Sequence, residues 1–131
     1  MKILVVDDEI VSRKKMMRIS TDFGSCEGVQ SGKAALSAIK TALEEWQPYD
    51  LITLDVSMPD ISGIEVLSAI RKMEEEKGLD EEECAKILMV TSHSDMETVK
   101  ACMGKCNGYM IKPFNKEIVV DKLKKIGLLH Q

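Results

Sequence analysis

No apolar run in this sequence approaches the 18 or more residues of a membrane span, and "MKILVVDDE" turns acidic too early for a secretory leader. Membrane insertion and export are therefore not expected, and a cytoplasmic location is. Basic residues are not in excess: 18 Lys and Arg against 22 Asp and Glu leave a net charge of -4, the wrong sign for general nucleic-acid affinity. No Pro-, Gly- or Ser-rich stretch marks a linker, and 44% hydrophobic with 31% charged residues is not a disordered composition. The four cysteines, Cys26, Cys84, Cys102 and Cys106, have no second pair or histidine to complete a zinc set. Thiols in a chain without export signals usually stay reduced, so Cys102 and Cys106, spaced to share a helix face, read as small core fillers. What remains is one domain over 1–131, large enough to bury roughly two-thirds of its unfolded surface.

Within it, short apolar runs alternate with longer amphipathic ones, the pattern of a parallel sheet with crossover helices. The strands are expected at "KILVV" (2–6), "CEGVQ" (26–30), "DLITL" (50–54), "KILMV" (86–90) and "GYMI" (108–111). A first helix over about 9–22 is poorly patterned, and a third runs over about 63–77. "SGKAALSAIKTALEEW" lines up Ala35, Leu36, Ile39, Ala42, Leu43 and Trp46 behind a Ser31 cap. "SDMETVKACM" has the Ser94 and Glu97 spacing of a capping box ahead of Met96, Val99 and Met103. "NKEIVVDKLKKIG" begins at an Asn cap and repeats Val119, Leu123 and Ile126. The acidic stretch "EEEKGLDEEE", 74–83, reads as a solvated helix end and loop, and the basic clusters near Arg13 and Lys124 as solvated helix faces.

Right-handed crossovers point all parallel strands one way, and open sheets of this kind bind ligands outside the strands' carboxyl ends. Asp7 and Asp8 follow the first strand, Asp55 closes the third, Thr91 follows the fourth and Lys112-Pro113 the fifth. Three carboxylates at one rim raise one another's pKa and need a cation. All-oxygen ligation suits a hard divalent ion, Mg²⁺ above all, which keeps several waters and takes few carboxylates together with phosphate oxygens. With the ion and Lys112 in place, an incoming phosphoryl group finds its charge neutralised, and one carboxylate can act as nucleophile to give an aspartyl phosphate. The Thr91 hydroxyl is then placed to donate to a phosphoryl oxygen.

In this order and spacing, "VVDDE", "LDVSMPDISG", Thr91 and "YMIKPF" make a chain that resembles, over essentially its whole length, the receiver domain of two-component response regulators. The resemblance implies a flavodoxin-like (βα)5 three-layer sandwich with a five-stranded parallel sheet of order 2-1-3-4-5, an arrangement for which a receiver serves as a standard example. It implies that Asp55 accepts phosphate from a histidine kinase or phosphotransfer protein. Asp8, Asp55 and the backbone carbonyl of Ser57 would bind Mg²⁺, with Asp7 acting through water. Lys112 and Thr91 would hold the phosphoryl oxygens, and Tyr109 would be the switch aromatic that moves inward with Thr91. Ser57 and His93 occupy positions tied in the family to phosphoryl lifetime. Gly104, followed by "KCNG", and the long acidic connector both depart from the family's pattern.

A dehalogenase-type phosphatase would want a second Asp two residues after the nucleophile, where Ser57 stands, and a flavodoxin's anion would be repelled by Asp7 and Asp8. "SGKA" lacks the rest of a Walker A motif. The expectation is a phosphoacceptor signalling domain and not a turnover enzyme. After "KPF" only one helix and "GLLHQ" remain, so a stand-alone receiver without an output domain is expected, as a monomer or a weak phosphorylation-dependent dimer. It would signal to an unidentified downstream protein through its fourth helix, fifth strand and fifth helix. The alternative is an N-terminal receiver cut from a larger regulator.

Overall fold

The computed structural model describes residues 1–130; Gln131, the last residue of the expected domain, lies outside them. Five strands, β1 (Lys2–Val6), β2 (Ser25–Val29), β3 (Leu51–Asp55), β4 (Lys86–Thr91) and β5 (Gly108–Ile111), alternate with five helices. The helices are α1 (Ile10–Ser20), α2 (Gly32–Glu44), α3 (Gly63–Glu76), α4 (Met96–Lys100) and α5 (Lys116–Lys125). All pairings are parallel and the strand order is β2-β1-β3-β4-β5, the flavodoxin-like order that the family resemblance implied.

Successive side chains of a strand point to opposite faces, so each central strand feeds two cores. Leu4, Val6, Ile52, Leu54, Ile87 and Met89 pack under Ile39, Leu43, Val66, Leu67, Ile70 and Val99 of α2, α3 and α4. On the other face Ile3, Val5, Leu51, Leu88, Val90 and Met110 meet Met16 and Ile19 of α1 and Val119 and Leu123 of α5. That double burial is why these strands read as near-continuous apolar runs. Helix α1 buries Ser12, Met16, Ile19 and Ser20; two serines on its inner stripe account for its weak pattern in the sequence.

Local chemistry sets the helix ends. Ser31, Ser62 and Asn115 accept hydrogen bonds from the amides of Ala34, Glu65 and Ile118 and so cap α2, α3 and α5. The capping box expected at Ser94 and Glu97 is not formed. A 3-10 turn at His93–Asp95 precedes α4, no side chain caps either, and the Ser94 hydroxyl pairs instead with Ser92. Helix α4 is correspondingly short and buries Val99 alone, while Met103 stands outside it, exposed, and Cys106 fills the core beyond. Trp46 also departs from expectation. Helix α2 ends at Glu44, Trp46 takes a left-handed φ of 57°, and its ring turns out to solvent beneath Lys77 Nζ, 3.8 Å from the centroid. The buried aromatic there is Tyr49, whose hydroxyl donates to Glu27 at 2.8 Å.

The acidic stretch 74–83, which begins in the last turn of α3, is only partly solvated. Glu74 is buried, takes Arg71 Nη1 at 2.6 Å on one oxygen and the Ala85 amide at 2.8 Å on the other. Arg71 also donates to the carbonyls of Ala85 and Lys105 and to Asn107 Oδ1, tying α3 to the segments that lead into β4 and β5.

One glycine matters to the site directly. A Cβ on Gly63, the first residue of α3, would lie 2.2 Å from the Asp55 carbonyl oxygen and 2.8 Å from Val56 Cα, both backbone atoms that cannot swing away. Gly63→Ala is expected to cost about 1–3 kcal/mol in urea denaturation, the range for forced overpacking; an unchanged midpoint would contradict the tight approach.

Candidate functional site

Register brings the polar rim together. Val6 is level with Leu54, so Asp7 falls beside Asp55, and the Val56 amide donates to the Val90 carbonyl next to Thr91. The Lys112 amide donates to the Thr91 carbonyl at 2.8 Å, which sets the lysine at the same edge. Oxygens of Asp7, Asp8 and Asp55 lie within 4.8 Å of one another, with Asp7 and Asp55 buried and Asp8 exposed. Lys112 Nζ reaches across to Asp7 at 3.1 Å and Asp55 at 3.6 Å.

Asp7 is held from a second side, since the Glu9 amide donates to its Oδ1 at 2.9 Å, and Arg13 donates to its backbone carbonyl. Burial disfavours the Asp55 anion and, despite the opposing pull of Lys112, combines with the neighbouring Asp7 and Asp8 to push its carboxyl up to about 7. Burial works against the Lys112 charge as well, but Asp55 and Asp7 outweigh it and hold the ammonium above its usual range. One lysine thus faces three acids, an anionic surplus that a further cation would relieve. The donor set is all oxygen, with an exposed member open to water, and fits a hard divalent ion.

Of the remaining expected residues, Thr91, His93 and Ser57 lie at this rim, while Tyr109 sits further back along β5, level with Met89. Thr91 is fully buried and its hydroxyl donates to the Ser92 carbonyl at 3.0 Å, not toward Asp55. Tyr109 is half-buried beside the core, with Lys122 Nζ 5.3 Å from its ring centroid. His93 is exposed. Ser57 lies just past Asp55, in a cleft of about 630 Å³ that it shares with Asp8, Met58, Ser62, Asp95 and Thr98.

Two carboxylates were not legible as part of this region. Asp60 accepts the amides of Gly32 and Lys33 at the start of α2, bonds that, the Lys33 amide foremost, hold it below the usual carboxylate range and anchor the loop after β3. Asp95 accepts the hydroxyls of Ser57 and Ser92. Their partners lie 28 and 38 residues away in the chain for Asp60–Gly32 and Asp95–Ser57, so no local spacing announces them.

Comparison with known proteins agrees with this geometry. The response regulator receiver domain model matches residues 3–124. The chemotaxis protein CheY-3 of Vibrio cholerae is 33% identical over 129 residues, covering 96% of this chain and 91% of that protein. Among solved structures, Vibrio cholerae CheY4 superposes with a TM-score of 0.78 at 28% identity, covering 95% of this chain and 97% of that one. The receiver domain of the Arabidopsis thaliana histidine kinase CKI1, solved in complex with Mg²⁺, superposes with a TM-score of 0.77 at 27% identity, covering 92% and 89%.

Proposed function

The chain belongs to the response regulator receiver domain family of two-component signalling, and from that premise we propose that it accepts a phosphoryl group on Asp55 from a phosphohistidine of a histidine kinase or phosphotransfer protein. The observation that carries the reading is the rim itself: three carboxylates within 4.8 Å of one another, crossed by a single lysine. Asp8, Asp55 and the Ser57 carbonyl would hold Mg²⁺ directly and Asp7 through water. A bound Mg²⁺ supplies positive charge that neutralises the phosphoryl oxygens as they approach the acids.

The chain's own residues do the rest. An Asp55 carboxylate oxygen bonds to phosphorus, the phosphorus–nitrogen bond breaks, and the donor imidazole leaves with that electron pair. Lys112, already between Asp7 and Asp55, keeps an ammonium against the oxygens of the transferred group. The Thr91 hydroxyl leaves the Ser92 carbonyl to donate to one of those oxygens, and Tyr109 follows it inward. The altered surface formed by α4, β5 and α5 then meets the downstream partner. Moving such a face from 1:99 to 99:1 requires about 5.5 kcal/mol of preference for one state, within reach of the new ionic and hydroxyl contacts. The domain takes part in its own phosphorylation and hydrolytic dephosphorylation without turning over other substrates.

Incubation with acetyl phosphate and Mg²⁺, followed by intact-mass and peptide mapping, is expected to find one phosphoryl group, on the peptide carrying Asp55 and lost when EDTA is present from the start. A yield of free phosphate from many phosphoesters per chain would instead favour a phosphatase, and absence of any modification would refute the reading.

A further inference from the structure

Asp95 joins the two loops that flank the acceptor. One of its oxygens, Oδ2, accepts the Ser57 hydroxyl at 3.1 Å and the Ser92 hydroxyl at 3.0 Å, and Ser92 Oγ lies 2.9 Å from Ser94 Oγ. Ser57 belongs to the loop after β3, two residues past Asp55, whereas Ser92 directly follows Thr91 at the end of β4. The carboxylate therefore fastens the Thr91 loop to the acceptor loop. In this arrangement the Thr91 hydroxyl is spent on the Ser92 carbonyl, which belongs to the same short segment that Asp95 anchors.

Resting on the receiver reading, we propose that Asp95 is a positioning residue that latches the unphosphorylated state: its bonds to Ser57 and Ser92 hold Thr91 in the turned-away orientation and oppose the switch. Hydrogen bonds to an ionised acceptor are stronger than neutral ones, but Ser57 and Ser92 are exposed and water competes for them. Loss of the latch is expected to move the resting equilibrium toward the switched state by about three- to tenfold, ten being the ratio for 1.4 kcal/mol. The amide oxygen of Asn can still accept from both hydroxyls. A charge effect and a latch effect thus separate.

Asp95→Ala is expected to be labelled about three- to tenfold faster by acetyl phosphate and Mg²⁺. In the metal-free, unphosphorylated protein its Thr91 methyl resonance should move toward the position seen in the wild type loaded with beryllofluoride. Asp95→Asn should stay within about twofold of wild type in both readouts, and Ser57→Ala combined with Asp95→Ala should add little to Asp95→Ala alone, as for two ends of one bond. Equal acceleration in Asp95→Asn and Asp95→Ala would overturn the latch in favour of simple charge repulsion. So would a wild-type rate and unmoved Thr91 resonance in Asp95→Ala while the wild type is labelled normally. A wild type that takes up no label would fell the receiver chemistry itself, and the latch with it.

Discussion

Asp55→Asn is expected to abolish phosphoryl uptake at that position and, without metal, to make the protein more stable than the wild type above neutral pH. Both effects come from one carboxylate. Its oxygen is the nucleophile in the proposed transfer, and an amide cannot take that role. In the metal-free fold the same group is buried beside Asp7 and Asp8, which raises its carboxyl to about 7 from an ordinary value of 3.8. A raised acid favours the native state in its protonated form, so its favourable contribution is complete below about pH 4 and is lost as pH rises through about 7. Asparagine never becomes charged and escapes that loss. In EDTA at pH 8 the variant should be more stable by up to about 4 kcal/mol, with the gap narrowing toward pH 5. Added Mg²⁺ should stabilise the wild type at pH 8, as any ligand of the native state alone must, and the variant much less. Urea titrations at the two pH values with and without Mg²⁺ measure all four differences. A variant less stable than the wild type at pH 8 in EDTA would mean that Lys112 already compensates the acids in full.

Glu74→Ala is expected to be the most damaging single substitution to the fold outside the cores, at about 3–5 kcal/mol, because it leaves a paired charge without its partner. Glu74 is only 3% exposed and satisfies both Arg71 and the Ala85 amide, while Arg71 spends its remaining donors on Ala85, Lys105 and Asn107. Removing the carboxylate orphans the amide at the entrance to β4 and unseats the arginine that fastens α3 to the loop before β5. Arg71→Lys should be costly too, since an ammonium cannot reproduce a planar fork shared among a carboxylate, two carbonyls and an amide oxygen. Chemical denaturation gives the comparison. A loss below about 1 kcal/mol for Glu74→Ala would place this pair among ordinary surface ion pairs.

Glu74 also marks where sequence reading stopped. It stands in a run of seven acids among ten residues, and nothing local distinguishes it from Glu75 and Glu76, which are exposed. What singles it out is the packing of Ala85 and Arg71 against it. Trp46 fails for the opposite reason: its spacing fits the buried stripe of α2, yet the helix ends two residues earlier and the left-handed turn reverses its direction. The Ser94 and Glu97 pair has the spacing of a cap, but the chain spends Ser94 on Ser92 and Asp95 on Ser57. For Glu74 and Asp95 the deciding partners are distant in the chain, whereas at Trp46 and Ser94 the local backbone took a turn that the residue spacing does not encode.

The alternation of strands and helices, the strand positions to within a residue, the helix caps at Ser31 and Asn115 and the convergence of Asp7, Asp8, Asp55, Thr91 and Lys112 on one edge of the sheet were legible in the sequence alone. Periodicity and residue type are local quantities, and a parallel sheet turns order along the chain into convergence at one edge. Only the tertiary structure decided that Asp7 is sealed under Lys112 while Asp8 is open, that Glu74 is interior, and that Asp95 spans the two loops beside the acceptor. Those outcomes depend on which groups exclude water from one another across elements distant in sequence, a property of the packed whole.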